Sequence, residues 1–369
     1  MPRPPFTELI ASLPSTVPFV GPEALARRRG RPFRARIGAN ESVFGPSPKA
    51  IAAMREAAEH VWMYGDPEVH DIKVAIAAHH GVGPQNVAVG EGVDGLFGYA
   101  VRLFIEPGMT VASSLGAYPT FNFHVAGFGG RLVTTPYRED REDPEALVEL
   151  AAREKARILF IANPDNPMGT WSPAERIGEL IGRVPEGTML FLDEAYGEFA
   201  PEGTLPPLEV ANPQVIRFRT FSKAYGMAGL RVGYALGAPE VILAFDKIRN
   251  HFGVGRIAQA GAIAALADQA YLGEVIAQVK AGRERIAAIA EENGLRAIPS
   301  ATNFVAVDCG RDGAFASKVL EGLLARDVFV RKPAIAPLDR TIRVSVGTRA
   351  DLDLFAEMLP RALAEARGR

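Results

Sequence analysis

Through the middle of this sequence, short apolar runs alternate with longer stretches of helical spacing, and that alternation restricts the possible folds most. Asn86-Val87-Ala88-Val89, Thr110-Val111-Ala112, Arg131-Leu132-Val133-Thr134 and Ile158-Leu159-Phe160-Ile161 read as strands. So do Met189-Leu190-Phe191-Leu192, Val215-Ile216-Arg217-Phe218 and Val232-Gly233-Tyr234-Ala235-Leu236. Several are continuously apolar rather than alternating, the pattern of strands covered on both faces. Helical spacing predicts helices over 95–104, 144–155 and 173–183, with Asp143 and Ser172 as N-caps. Strand and helix in alternation predict an α/β domain around a mostly parallel sheet. Ligands of such sheets bind beyond the carboxyl ends of the strands.

The flanks read differently. Proline and glycine interrupt the first forty or so residues, with a short helix over 22–29 and a turn at Phe44-Gly45-Pro46-Ser47-Pro48. A helix over 49–60 follows, with Ile51, Met54 and Ala58 on one face. An alanine-rich helical region spans 259–292, broken near 270–273. Beyond it, strands over 303–307, 327–331 and 341–346 mix with helices over 314–325 and from Ala350 or Asp351 onward, as in a smaller α+β domain. Two domains suit a chain of 369 residues.

Charge and cysteine content exclude several classes of partner. A formal net charge of −2 leaves no broad electrostatic footprint for nucleic acid or an anionic membrane. The basic run Ala26-Arg27-Arg28-Arg29-Gly30-Arg31 reads as a solvated helix end or a subunit contact. Cys309 is the only cysteine, so no intrachain disulfide forms, which fits a reducing compartment. It follows the apolar stretch Asn303-Phe304-Val305-Ala306-Val307 and is expected at a strand end, not in catalysis. The opening MPRPPFTELI places prolines and an acid where a signal peptide needs a long apolar region. No apolar segment reaches the roughly 18 residues of a membrane span. The expectation is a cytoplasmic protein that binds no metal.

Four segments carry chemistry. In Phe221-Ser222-Lys223-Ala224-Tyr225-Gly226-Met227-Ala228-Gly229-Leu230-Arg231, a lysine sits among hydroxyls, aromatics and glycines, with an arginine eight positions later. An imine-forming lysine needs a neutral amine, which desolvation or nearby cations provide. Thr220, Ser222 and Arg231 offer two hydroxyls and a guanidinium suited to a phosphate. Asp193, in Phe191-Leu192-Asp193-Glu194-Ala195-Tyr196, ends an apolar strand, where a carboxylate is costly unless paired. A protonated pyridine nitrogen is a fitting partner; a helix N-cap is the plainer reading. Asn163-Pro164-Asp165-Asn166-Pro167-Met168-Gly169 is either a tight connection or a loop that fixes an amide donor for a phenolate oxygen, with Tyr196 as a second donor. Gly90-Glu91-Gly92-Val93-Asp94-Gly95, between strand and helix, is either an ordinary glycine turn or a set of N–H groups for phosphate.

Taken in this order, the asparagine-proline loop, strand-end aspartate, Ser-Lys segment and C-terminal arginine resemble the fold-type I enzymes that use pyridoxal 5'-phosphate (PLP). Among these the chain is most similar to the class I/II aminotransferases of the histidinol-phosphate and aromatic amino acid branch. The resemblance runs from Asn40-Glu41 through the Arg343 region. It implies a large domain with a mostly parallel seven-stranded sheet and a smaller α+β domain. Residues 1–45 would form an arm joining the small domain, 46–255 the PLP domain, and 256–369 the interdomain helix and small domain.

The resemblance also implies roles. Lys223 would form the Schiff base and act as the catalytic base. Asp193 would pair with the pyridine nitrogen, and Asn166 and Tyr196 would donate to the phenolic oxygen. Tyr118, in Leu115-Gly116-Ala117-Tyr118-Pro119, would stack on the ring. Gly92, Val93, Thr220, Ser222 and Arg231 would form the phosphate cup. Tyr64 would be lent to the same phosphate by the partner subunit of a homodimer. Arg343 would bind the substrate α-carboxylate, with Asn40 and Asn303 nearby, and Arg331 would meet a substrate phosphate. The implied reaction moves an amino group from an amino acid or related amine to a 2-oxo acid by ping-pong chemistry. A decarboxylase or lyase of the same fold, or a non-catalytic PLP- or amine-binding protein, are the alternatives.

Three departures stand out. The family's glycine turn often reads Gly-Asn-Gly-Ser-Asp-Glu, against Gly90-Glu91-Gly92-Val93-Asp94-Gly95 here. Val93 has no hydroxyl, so a phosphate there meets main-chain N–H. The usual threonine of the asparagine-proline motif is Met168, and a common Pro-Phe-Asn segment appears as His251-Phe252-Gly253.

Overall fold

The computed structural model describes residues 4–15 and 20–368, so parts of the expected arm (1–3 and 16–19) and residue 369 lie outside the described residues. After helices Glu8–Ser12 and Pro22–Arg29 the chain enters β1 (Ala35–Arg36). The seven apolar runs then form one sheet: β2 (Val87–Gly90), β3 (Thr110–Ser114), β4 (Arg131–Thr135), β5 (Ile158–Ala162), β6 (Met189–Asp193), β7 (Val215–Thr220) and β8 (Gly233–Leu236). Their order is β2-β8-β7-β6-β5-β3-β4. Strands β4, β3, β5, β6 and β7 pair in parallel, while β8 is antiparallel to both β7 and β2. Every residue of β5 and β6 is buried, which explains their unbroken apolar character. On one face Phe97 packs edge-on against Phe121, Phe160 and Phe218, with ring centroids 4.8–5.6 Å away.

A smaller unit follows. The long helix Gln269–Glu292 leads to β9 (Arg296–Ala297), β10 (Phe304–Asp308), β11 (Val328–Phe329) and β12 (Thr341–Ser345). The order β12-β10-β9 is antiparallel, and β1 pairs in parallel with β11. The pairing joins the N-terminal segment to the last third of the chain. Cys309 is buried directly after β10, and burial pushes its thiol up to about 12. No helix among the described residues is long and apolar enough to cross a membrane.

Four local expectations need correction. The helix expected from residue 95 begins at Gly92, whose left-handed φ of 75° lets the chain turn sharply out of β2. Ser172 is not a cap: the helix is Ala174–Gly182, and the Asn163 side chain occupies both main-chain groups of Ser172, at 2.8 and 3.1 Å. The break in the alanine-rich region falls at Ala267-Asp268, between helices Arg256–Leu266 and Gln269–Glu292, where Lys49 holds the Asp268 carboxylate at 3.1 Å. The helix expected over 49–60 is Pro48–Ala58, and its fully buried residues are Ala50 and Ala57. Small residues allow that helix to lie close against Arg256–Leu266.

Consecutive residues at the end of β6 serve opposite faces. Asp193 faces the carboxyl-end cleft, whereas fully buried Glu194 takes Arg217 at 2.6 Å and Arg219 at 3.0 Å. Removing one member of a buried ion pair strands the other charge. Glu194→Ala is therefore expected to cost about 3–5 kcal/mol in urea unfolding, and Glu194→Gln, which keeps an acceptor for Arg217, less.

Candidate active site

The functional candidates gather at the carboxyl ends of the parallel strands, around a cleft of about 590 Å³. Val93, Asp94, Tyr118, Asn166, Asp193, Tyr196, Thr220, Ser222, Lys223 and Arg231 line it. They arrive on five connections. Gly92 and Val93 open the helix after β2, Tyr118 follows β3, Asn166 follows β5, Asp193 ends β6 and Thr220 ends β7. Lys223 and Arg231 lie on the connection from β7 to β8, whose ends are clamped by Phe221 N donating to Val232 O at 3.1 Å.

Lys223 Nζ donates to the Asn40 main-chain oxygen at 3.1 Å and lies 5.6 Å from the centre of the Tyr196 ring. Burial, then the nearby Arg343 and Arg231 cations, pulls its amine down to about 8. Asp193 moves the other way. Burial pushes its carboxyl up to about 7, and Oδ1 accepts from the Ala195 N–H at 2.9 Å. That contact is a local turn rather than the helix cap considered for it.

The remaining polar groups leave specific atoms for a ligand. Asn166 Oδ1 accepts from Arg343 Nη1 at 2.5 Å, so its NH2 is the group left to donate. The Tyr196 hydroxyl accepts from Asn40 Nδ2 at 2.9 Å and keeps its own O–H. Thr220 Oγ1 donates to Ser222 Oγ at 2.9 Å, and Arg231 Nη1 reaches the same oxygen at 3.3 Å. A Cβ on Gly92 would strike the Arg231 guanidinium, so glycine is needed there for cation and helix start to meet. Burial pushes the Tyr118 phenol up to about 12.

Arg343 is partly buried on β12, where burial lowers its guanidinium to about 10. Its main chain exchanges both hydrogen bonds with Arg331, at 2.6 and 3.2 Å. Arg331 Nη2 also donates to Val20 O at 2.9 Å. Asn303 Nδ2 binds the Asn40 carbonyl at 3.1 Å. Asn303 Oδ1 and Arg343 Nε are buried with no protein partner among the described residues. Tyr64 is not brought to this cleft: it is 79% exposed, its ring 4.8 Å from Phe252.

Sequence reading missed Asp94, which lines the cleft and lies 3.3 Å from His124 Nε2. It also missed two buried acids behind Asn166. Asp165 accepts from the Tyr137 hydroxyl at 2.7 Å and from Met168 N at 3.0 Å; Glu142 accepts from Ser114 Oγ at 2.6 Å and Ala162 N at 3.0 Å. Burial raises both carboxyls. Asp165 lay in plain view within the asparagine-proline motif, whereas nothing in the sequence marks Glu142.

The donor set fits PLP. An acid raised toward neutrality suits a pyridinium nitrogen, a depressed lysine suits a carbonyl, and an arginine with a buried unpartnered Nε suits a bidentate anion.

Comparison with known proteins agrees. Residues 36–359 match the family model for aminotransferase class I and II. The chain is 33% identical to a histidinol-phosphate aminotransferase of Moorella thermoacetica, over 97% of this chain and 92% of that one. It is 35% identical to histidinol-phosphate aminotransferase 2 of Carboxydothermus hydrogenoformans, over 96% and 98%. Its structure superposes with a TM-score of 0.96 on a crystal structure of the Sinorhizobium meliloti histidinol-phosphate aminotransferase in complex with PLP, at 55% identity and 98% coverage of both chains.

Proposed function

The chain belongs to the class I and II aminotransferases and is a PLP-dependent enzyme; on that premise we propose that its amino donor is histidinol phosphate and its acceptor a 2-oxo acid. The observation that carries this reading is the main-chain pairing of Arg331 with Arg343, which sets two guanidinium-bearing residues side by side next to Asn166. One cation serves a carboxylate; a second suits a donor that carries a phosphate. The similarity to histidinol-phosphate aminotransferases supports the same donor.

When bound, PLP supplies an electron sink for the charge left as the substrate α-proton departs. In the proposed assignment Lys223 anchors the cofactor, and its neutral Nζ takes the proton from the substrate α-carbon and returns it. Asp193 holds a proton on the ring nitrogen. Asn166 and Tyr196 donate to the phenolic oxygen, and Tyr118 covers the ring. The Gly92 and Val93 N–H groups, with Thr220, Ser222 and Arg231, bind the cofactor phosphate. Arg343 receives the acceptor carboxylate, positioned by Asn40 and Asn303, and Arg331 receives the donor phosphate.

The same reading makes the enzyme a homodimer in which each Tyr64 reaches the partner's phosphate cup. The exposed cluster of Val61, Trp62, Tyr64 and Phe252 supports a covered face there. It also assigns residues 1–45 to an arm joined to the small domain, supported by the β1–β11 pairing, with boundaries at 45/46 and 255/256. The proposed setting is the cytoplasm, in keeping with a single buried thiol.

Amino donors tested with a 2-oxo acid acceptor check the donor assignment. Histidinol phosphate is expected to exceed unphosphorylated histidinol in kcat/KM by about 100-fold, as a desolvated charge-assisted contact is worth up to about 3 kcal/mol. Arg331→Ala is expected to erase most of that preference while leaving turnover of unphosphorylated donors nearly unchanged. A greater kcat/KM for aromatic amino acids than for histidinol phosphate would overturn the donor assignment.

A further inference from the structure

Two of the departures from the family pattern, far apart in sequence, meet in space. Glu91 stands where the family often has asparagine, Gly95 where it has glutamate, and Gly253 where it has asparagine. In the fold these three positions share one pocket. Glu91 precedes the helix Gly92–Phe104 without capping it; its side chain turns aside, and Oε1 accepts from the Tyr99 hydroxyl at 3.0 Å. A Cβ on Gly253 would fall on the Glu91 carboxylate. A Cβ on Gly95 would lie 3.3 Å from Glu91 Cβ and 3.4 Å from Oε2. The Glu91 carboxylate thus occupies room left by two glycines.

The linkage continues outward. Tyr99 Oη, besides donating to Glu91, accepts from Asn250 N at 3.1 Å. That fixes the loop whose Phe252 packs on Tyr64 at 4.8 Å. Arg249 and Arg256 at the two ends of the loop donate to the carbonyls of Pro67 and Tyr64, at 2.7 and 2.8 Å. A continuous set of contacts therefore runs from the residue before Gly92 to the segment that bears Tyr64.

We propose that Glu91, seated against Gly253, is a positioning residue that fixes the phosphate-cup turn to the Phe252 loop and, through it, to the Tyr64 segment. The proposal rests on the assignment of Gly92 and Val93 to the cofactor phosphate and of Tyr64 to the partner's cup. Glu91 touches neither cofactor nor substrate in this role; it sets the direction of the first two N–H groups of the helix. With Tyr64 pointing to the other subunit, one subunit's cup is tied to the tyrosine that completes its partner's.

A substitution cycle tests this on the full-length enzyme. Glu91→Asn, Gly253→Asn and the double variant are compared for binding of PLP and of pyridoxal, which lacks the phosphate. Each single variant is expected to weaken PLP binding about tenfold, one by losing the acceptor for Tyr99 and the other by collision with the carboxylate. In the double variant the shorter residue at 91 removes the collision, so the losses are expected to be non-additive, with binding no weaker than that of Glu91→Asn alone. Pyridoxal binding is expected to change less than twofold throughout, a selectivity that general loosening does not produce. Where Gly253→Asn does not fold, Gly253→Ala takes its place in the cycle. Additive losses, or equal losses for PLP and pyridoxal, overturn the proposal and leave the phosphate-cup assignment standing. A parent enzyme that binds pyridoxal as tightly as PLP removes that assignment and the proposal with it.

Discussion

Lys223→Ala is expected to abolish the lysine-imine absorbance of the bound cofactor and to lower turnover by at least about 10⁴-fold, because in the proposed assignment one side chain supplies both the covalent anchor and the base. The environment is arranged for a neutral amine. Burial and two guanidinium groups bring Lys223 down to about 8, while the Asn40 carbonyl holds Nζ in the cleft. An amine titrating there is about one-fifth neutral near physiological pH, whereas an ordinary lysine is almost wholly protonated. Lys223→Arg is expected to fail as completely, since a guanidinium keeps its charge and forms no anchor. Absorbance retained in purified Lys223→Ala protein would falsify the assignment.

Asp193→Asn has the second largest expected effect, and it acts in opposite directions on catalysis and on stability. With the cofactor bound, the variant loses the charge that in the proposed assignment keeps the ring nitrogen protonated, and kcat is expected to fall about 10²–10³-fold, the range for removal of one preorganised electrostatic partner. Without the cofactor, the wild-type carboxylate is a buried charge. Its folded value of about 7 lies above the unfolded 3.8, so the native state binds the extra proton between those limits. The stability linked to that proton is complete below about pH 4 and is lost as pH rises through 7. Asparagine does not titrate. Cofactor-free Asp193→Asn is therefore expected to be more stable than the parent above pH 7, by up to about 4 kcal/mol, with the difference vanishing near pH 4. Urea unfolding of both proteins at several pH values gives the comparison; equal stability at pH 8 would show that Asp193 carries no burial penalty.

Much of this site was legible before any coordinates. The strand-end aspartate, the lysine among hydroxyls and the asparagine-proline loop each follow a run of apolar residues, so local sequence also gave their place in the fold. The interior strands were legible for the same reason, since burial on both faces writes itself into consecutive residues, whereas β4 at the sheet edge has no buried residue. What escaped depends on partners remote in the chain. Ser172 has the right side chain for a cap, but Asn163 engages its main chain from the previous loop. Glu142 reads as one more acid in a charged stretch, and only the fold brings Ser114 Oγ and Ala162 N to it. Arg343 was assigned from its place near the C-terminus, yet its hydrogen bond to Asn166 joins two roles that the sequence had kept separate. Glu91 and Gly253 were visible only as separate oddities; their shared space is a tertiary fact.

The reversed strand β8 has a mechanical consequence. Because β7 and β8 are antiparallel neighbours, Lys223, Ser222 and Arg231 all belong to one closed loop whose stems are fastened together. Arg343 belongs to a different sheet, on the other unit of the molecule. In the proposed assignment the cofactor phosphate therefore rests on loops of the larger sheet, while the substrate carboxylate is met from the smaller unit. The group that stays through both half-reactions and the groups that come and go are thus held by different sheets, joined where Arg343 meets Asn166.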